Sequence, residues 1–330
     1  MQHDNHKPTV VIENSIISSN VEQLKSVANI ITLDPYADID KWKDAVNHAI
    51  AIIDRKAKLT KEILDAAPEL KLIARTGIGV DETRIDLKEA KRRHLLITYN
   101  PGINSDSVAE LTVLLALSIF RRLLILNKLV RNVEWSKAQA TFGNQLKGKS
   151  WGFIGFGNAG TRVANIARAI GCKIFAFDPY LDNQSIISRG GEPLQFDNLL
   201  TECDIISIHV PLMDSTKHLI GDRELNLMKK NAVLINVSRG GIVDDLALYQ
   251  IMKSGKLLGA GLDTIEDEPI HPGNPLLTLD NIVITPHIGG STYEGITSGA
   301  EMAVDEVLRF IEGKALKSLY KYPEDHENEV

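Results

Sequence analysis

Short apolar, largely β-branched runs alternate with helix-period stretches along most of the chain. Runs at 9–12, 30–33, 49–53, 70–74 and 95–99 have the length of strands, with amphipathic stretches such as 60–67 and 87–93 between them. Continuous rather than alternating hydrophobicity marks strands covered on both faces, which is the parallel-sheet case. Five such strands with crossovers predict a small doubly wound unit. The turn signal Asn100-Pro101-Gly102 follows. Ser107, with Glu110 three residues on, then reads as a capping box opening a helix that runs to about residue 126. Apolar on nearly all sides, that helix has the pattern of one buried between domains or in a subunit interface.

A second α/β series begins at Lys149, with candidate strands at 151–154, 173–177, 204–209, 232–237, 258–262 and 282–285. Six parallel strands with helices between them make a complete dinucleotide-binding domain, with the expected order 3-2-1-4-5-6. The last helical stretch, about 294–311, is long enough to return to the first unit, which would make that unit discontinuous.

Composition narrows the classes. The chain has 330 residues, 37 basic against 43 acidic side chains and 44% hydrophobic content, which fits two ordinary globular domains. A net charge of −6 argues against nucleic-acid binding through a broad basic face. The stretch 111–120 is too short to span a membrane, the start is polar, and the tail 322–330 has the composition of a fraying end. Cys172 and Cys203 have no metal-type spacing and read as buried free thiols of a cytoplasmic protein, with no structural metal expected.

The segment 151–160 reads strand, GxGxxG, helix, with glycines at 155, 157 and 160. These permit a tight turn, close approach to a pyrophosphate and close helix–strand packing, and the helix start turns free amides toward the phosphates. The next strand ends in Asp178, 18 residues past Gly160, where a carboxylate accepts from the ribose hydroxyls and repels a 2′-phosphate. NAD is therefore expected over NADP.

In an open α/β sheet, ligands bind beyond the carboxyl ends of the strands. After the last three candidate strands come Arg239, the acidic run Glu266-Asp267-Glu268, and His287. An arginine fork holds a carboxylate bidentately, and a histidine oriented by a neighbouring carboxylate exchanges a proton near neutral pH. The trio suits hydride transfer between a 2-hydroxy and a 2-oxo acid. Taken alone, each has a plainer reading, as a surface ion-pair arginine, a solvated loop acid or one of nine histidines.

With these residues in hand, the chain resembles the D-isomer-specific 2-hydroxyacid dehydrogenase family along nearly its whole length. The match is carried by 74–81, 100–104, 146–149, the glycine loop, Asn236-Val-Ser-Arg-Gly-Gly241, Leu262-Asp263, Glu268-Pro269 and Thr285-Pro-His-Ile-Gly-Gly290. The resemblance implies two doubly wound parallel-sheet domains with a cleft between them. One is a Rossmann NAD-binding domain at 104–296, and the other a smaller flavodoxin-like substrate domain at 1–103 and 297–330. It also implies a homodimer built on the helix near 105–126. It puts the catalytic roles on Arg239, Glu268 and His287, selecting Glu268 because the family's glutamate directly precedes proline. Formate dehydrogenases of the superfamily carry glutamine there, so that activity is not expected.

By the same resemblance, NAD contacts fall on Gly155, Gly157, Asn158, Ala159, Gly160, Asp178, Pro179, His209, Pro211, Thr216, Val237, Ser238, Asp263, Gly289 and Gly290. Substrate contacts fall on Arg55, Arg75, Gly77, Ile78 and Asn104. Arg55 and Arg75 match the arginines that phosphoglycerate dehydrogenases place near the substrate phosphate, so D-3-phosphoglycerate, feeding serine biosynthesis, is the expected substrate. Hydroxypyruvate or glyoxylate reduction is the alternative within the enzyme class, and an NAD-sensing corepressor-like scaffold the alternative outside it. Asn158 departs from the arginine common in the family, and the loop 80–86 is longer than the common pattern.

Overall fold

A computed structural model of the chain describes residues 7–16, 20–80, 82 and 84–322. Asp81 and Thr83 of the long loop, and 323–330 of the tail expected to fray, lie outside the described residues. The chain divides into two compact units. The first takes in residues up to Asn104 and from Ser291 onward, and the second Ser105–Gly290.

The first unit holds a five-stranded sheet of β1 (Thr9–Glu13), β2 (Asn29–Leu33), β3 (Ala49–Asp54), β4 (Leu72–Arg75) and β5 (Leu96–Thr98). All pairs are parallel and the order is β2-β1-β3-β4-β5, the flavodoxin-like arrangement. Its two faces bury separate clusters. Val11, Ile52 and Ile73 pack with Trp42, Leu59 and Leu64 on one side. Val10, Ile12, Ile53 and Ala74 pack on the other with Ala300, Ala303, Val304 and Val307 of the helix Tyr293–Ile311. That helix approaches closely because residue 299 is glycine. A Cβ there would stand 2.3 Å from the Thr76 carbonyl oxygen.

The second unit holds seven parallel strands, β6 (Ser150–Ile154), β7 (Lys173–Phe177), β8 (Glu192–Pro193), β9 (Ile205–Ile208), β10 (Val233–Asn236), β11 (Gly259–Leu262) and β12 (Ile282–Ile284). The order is β12-β11-β10-β9-β6-β7-β8. This corrects the expected strand count and order. The two-residue edge strand Glu192–Pro193 takes the third place, so the strand at Ile205–Ile208 pairs with β6 and not with β7. A strand of two residues, one of them proline, leaves no hydrophobic run to read.

The helix after the turn also differs from expectation. It runs Ser105–Phe120, so Ser107 lies inside its first turn and is not the cap. It stops at Arg121-Arg122, and a separate helix, Leu123–Arg131, follows. Arg122 is left-handed at φ 51, and the Phe120 carbonyl is taken by the Asn144 amide at 2.7 Å, which removes the acceptor a continuing helix needs. One side of Ser105–Phe120 is buried through Val108, Val113, Leu115 and Ile119, whereas Leu114 and Leu117 stay exposed.

Both cysteines are free and buried, and burial pushes their thiols up, Cys172 to about 11 and Cys203 to about 12. They are therefore poor nucleophiles. Among the described residues no helix is long and apolar enough to cross a membrane, and no group of three or more His, Cys, Asp or Glu could hold a metal ion.

Candidate active site

The parallel sheet of the second unit sets every strand's carboxyl end along one edge. The glycine loop follows β6, Asp178 follows β7, His209 follows β9, Arg239 follows β10, Glu268 follows β11 and His287 follows β12.

The glycine loop is shaped by contacts that exclude side chains. Gly155 is left-handed at φ 89, and a Cβ on Gly160 would lie 2.5 Å from the Gly155 carbonyl oxygen. A Cβ on Gly157 would meet nothing within 4 Å, so the loop faces open space at the N-terminus of the helix Asn158–Ile170. Asp178 accepts from the Phe156 amide through Oδ2 at 2.9 Å and from the Tyr180 amide through Oδ1 at 2.9 Å. Half-buried, it keeps lone pairs for further donors. These residues fit a dinucleotide: an open cradle, a helix N-terminus for the pyrophosphate and a carboxylate for ribose hydroxyls.

Several of the other expected cofactor residues are structural ties. The Thr216 hydroxyl donates to the Pro211 carbonyl at 2.7 Å and closes that turn, while Ser238 Oγ donates to the Ile208 carbonyl at 3.0 Å. Trp151 Nε1 donates to Ser207 Oγ at 2.9 Å, and Ser207 Oγ stands 2.9 Å from His209 Nε2. The Ser207 hydroxyl thus ties Trp151 to His209 and fixes the ring through its Nε2 edge. Burial pushes the His209 imidazole down to about 3, so it stays neutral. Asp178→Ala is expected to lower kcat/KM with NAD by roughly 10-fold or more, because a charged acceptor is lost. Its loss also removes the acceptor for the Phe156 amide, and the gap between NAD and NADP should narrow. Parallel NADH and NADPH assays check this, and an unchanged ratio would remove Asp178 from cofactor choice.

His287 and Glu268 meet directly, Nδ1 to Oε2 at 2.8 Å, with side chains 44% and 38% exposed. Glu266 instead reaches His218, at 2.8 Å. His287 is left-handed at φ 53 and is held there by the buried Asp263. The Asp263 carbonyl accepts from the His287 amide, and its carboxylate accepts from Thr285 Oγ1 and the amides of Ile288 and Gly289. Burial works to raise the Glu268 pKa, but the hydrogen bond and charge of His287, the Ile265 amide and the Arg239 charge outweigh it. They hold the carboxyl below the usual range. Arg239 is half-buried, with Nη1 donating to the Ser238 carbonyl and its own carbonyl accepting from Asn236 Nδ2. A histidine whose Nδ1 is engaged by a carboxylate presents Nε2 for proton exchange.

Sequence reasoning missed Asp245. Burial, reinforced by the charges of Glu266, Asp244 and Asp267, pushes it up to about 6, against the Glu266 amide, which donates to it at 3.0 Å. Its folded pKa lies above the unfolded value of about 3.9, so its contribution to stability is lost as pH rises from about 4 to about 6. Asp245→Asn keeps the acceptor and drops the charge. It is expected to stabilise by about 1 kcal/mol near pH 8, allowing for screening by water, and not near pH 4. Denaturant melts at the two pH values check this.

In the first unit, Arg75, expected near a substrate phosphate, is buried. Asp54 and Arg75 are register partners on β3 and β4, and Arg75 Nη1 lies 3.6 Å from Asp54 Oδ2 with the side chains 6% and 0% exposed. Arg75 Nη2 contacts the Arg55 carbonyl at 3.4 Å. The amides of Arg55, Lys56 and Ala57 all donate to buried Glu13 Oε1, which fixes the turn that carries Arg55. Gly77 borders open space, and Asn104 Oδ1 is buried with no hydrogen-bond partner among the described residues.

Comparison with known proteins agrees with this arrangement. Residues 113–289 match the family model described as "D-isomer specific 2-hydroxyacid dehydrogenase, NAD binding domain". A glyoxylate reductase of Thermococcus litoralis is 35% identical over 93% of this chain and 95% of its own. A D-3-phosphoglycerate dehydrogenase of Methanocaldococcus jannaschii is 36% identical over 86% of this chain but only 53% of its own. The D-lactate dehydrogenase of Aquifex aeolicus, solved with NAD and lactic acid, superposes with a TM-score of 0.79 at 31% identity, covering 92% of this chain and 96% of its own. The chain accordingly belongs to the D-isomer specific 2-hydroxyacid dehydrogenase family, as an NAD-dependent oxidoreductase with a small-molecule substrate.

Proposed function

We propose that the chain reduces short, unphosphorylated 2-oxo acids of the glyoxylate or hydroxypyruvate kind with NADH. The observation that carries the choice is the Asp54–Arg75 pair. A phosphate needs donors it can reach, and Arg75 is 6% exposed, its charge answered by the buried Asp54 carboxylate at 3.6 Å, a distance longer than a hydrogen bond. The relatives matched over nearly their full length point the same way, being glyoxylate reductases. A second reading, D-3-phosphoglycerate oxidation, is favoured by Arg55 and Arg75 standing on adjacent strand ends and by the phosphoglycerate dehydrogenase relatives.

Arg239 anchors the substrate carboxylate. His287 gives its Nε2 proton to the carbonyl oxygen, and Glu268 stabilises the protonated ring through Nδ1. When bound, the nicotinamide supplies the hydride to the carbonyl carbon, so 2-oxo acid, NADH and a proton become 2-hydroxy acid and NAD. Arg239→Lys keeps charge but loses the fork, and should raise KM and cut kcat/KM at least roughly 10-fold. Unchanged kinetics would remove Arg239 from the site.

NADH absorbance with glyoxylate, hydroxypyruvate and 3-phosphohydroxypyruvate tests the substrate. The unphosphorylated acids should show the higher kcat/KM. Preference for the phosphorylated acid would restore the second reading, and no turnover of any would favour the scaffold role. We further propose a homodimer in the cytoplasm. Exposed Leu114, Leu117, Leu123 and Leu124 offer an apolar face, and two reduced thiols suit that compartment.

A further inference from the structure

We infer that His218 and Glu266 form a second histidine–carboxylate pair whose task is to position the loop that presents Glu268. The inference rests on the acid/base reading of His287 and Glu268 given above.

Three segments meet at this pair. The His218 amide donates to the Gly241 carbonyl at 2.7 Å, two residues past Arg239, and the amide of Ile220 donates to the Ile242 carbonyl at 3.1 Å. The stretch 218–220 thus runs beside the loop that carries Arg239. The Ile265 carbonyl packs on Gly240, so closely that a Cβ at 240 would lie 1.7 Å from its oxygen. His218 Nε2 reaches across to Glu266 Oε1 at 2.8 Å. The Glu266 amide is fixed at the same time on Asp245 Oδ2 at 3.0 Å.

Glu268 lies two residues farther on, with Oε1 accepting from the Ile265 amide at 3.3 Å and Oε2 on His287. The 265–268 turn is therefore tied by its main chain to Asp245, by the Glu266 side chain to His218, and by the Glu268 side chain to His287. His218 sits in the left-handed region at φ 49, a conformation a histidine keeps when its surroundings dictate it. The charges of Glu266, Asp244 and Asp267 all act on Asp245, so carboxylates crowd this turn, and His218 supplies the donor that answers Glu266.

As a source of stability the pair counts for little. Both side chains are 39% exposed, and exposed ion pairs contribute only a small amount. Geometry is another matter, because a displacement of a fraction of an ångström at an acid/base partner is felt in the rate. The expected signature is thus a loss in kcat without a loss in folding or in ligand binding.

The test is a double-mutant cycle on the full chain, following NADH oxidation with whichever 2-oxo acid is turned over. His218→Ala should lower kcat about 10-fold, with the KM for the 2-oxo acid, the NADH Kd from fluorescence titration and the Tm all unchanged. His218→Gln still offers Glu266 a donor and should recover most of the loss. In a Glu268→Ala background, where nothing remains to be positioned, His218→Ala should add no further loss. Glu266→Gln provides the same comparison should His218→Ala fail to fold. Wild-type kcat in the folded His218→Ala protein, or an equal loss in both backgrounds, would overturn the positioning role alone. Wild-type kcat in Glu268→Ala itself would overturn the acid/base reading and the inference together.

Discussion

His287→Ala should lower the rate of 2-oxo acid reduction by roughly 10²–10⁴-fold, the usual worth of a positioned acid/base group. NADH affinity should stay near the wild-type level, since the glycine loop lies after β6 and the main chain of the His287 loop is held by Asp263 and not by the imidazole. The loss should fall on kcat, because the proton is needed at the carbonyl oxygen only as the hydride arrives. The side chain is 44% exposed, so its removal leaves a gap open to solvent, and added imidazole should recover part of the rate. Steady-state kinetics with and without imidazole, beside an NADH fluorescence titration, provide the check. A rate within a few-fold of wild type would move the proton donor to another group.

Gly240→Ala should be nearly as damaging by a different route. Its Cβ would fall 1.7 Å from the Ile265 carbonyl oxygen and 2.4 Å from the carbonyl carbon. Both are main-chain atoms of the segment that presents Glu268, so neither can rotate away. The loops of Arg239 and Glu268 must separate, and a shift of about 1 Å costs on the order of 10²-fold in rate. Overpacking should also destabilise the fold by about 1–3 kcal/mol. A denaturant melt and kcat/KM measured on the same preparation separate the two effects. Wild-type activity in Gly240→Ala would mean that the two loops move independently.

How far the sequence spoke depends on the range of the interaction. Strand runs, the glycine loop and the three polar groups after β10, β11 and β12 were legible because local pattern and strand-end logic fix them. Glu192–Pro193 was not, because a two-residue edge strand is defined by its neighbour and not by its own side chains. The Arg121-Arg122 break was hidden for the same reason, since its cause, the Asn144 amide on the Phe120 carbonyl, comes from 24 residues away. Side-chain partners are the least legible of all. Glu266, Asp267 and Glu268 look alike along the chain, and only the folded turn sends Glu266 to His218 and Glu268 to His287. The doublet Gly240-Gly241 was the one available hint that a second main chain passes close by.

The register that sets Asp54 beside Arg75 also bears on how this site could change. On the reading proposed above, the cation is already at the strand end, so a phosphate-reading descendant would not have to acquire an arginine but to free one. The step that frees it is the removal of Asp54, and breaking one half of a buried ion pair costs about 3–5 kcal/mol. That is a large part of the stability a protein has to lose. A new specificity would therefore come only to a chain that had first become more stable elsewhere, or that gained the phosphate as a permanent replacement for the lost carboxylate. Selection on thermal tolerance and selection on substrate are thereby coupled through a single pair of side chains.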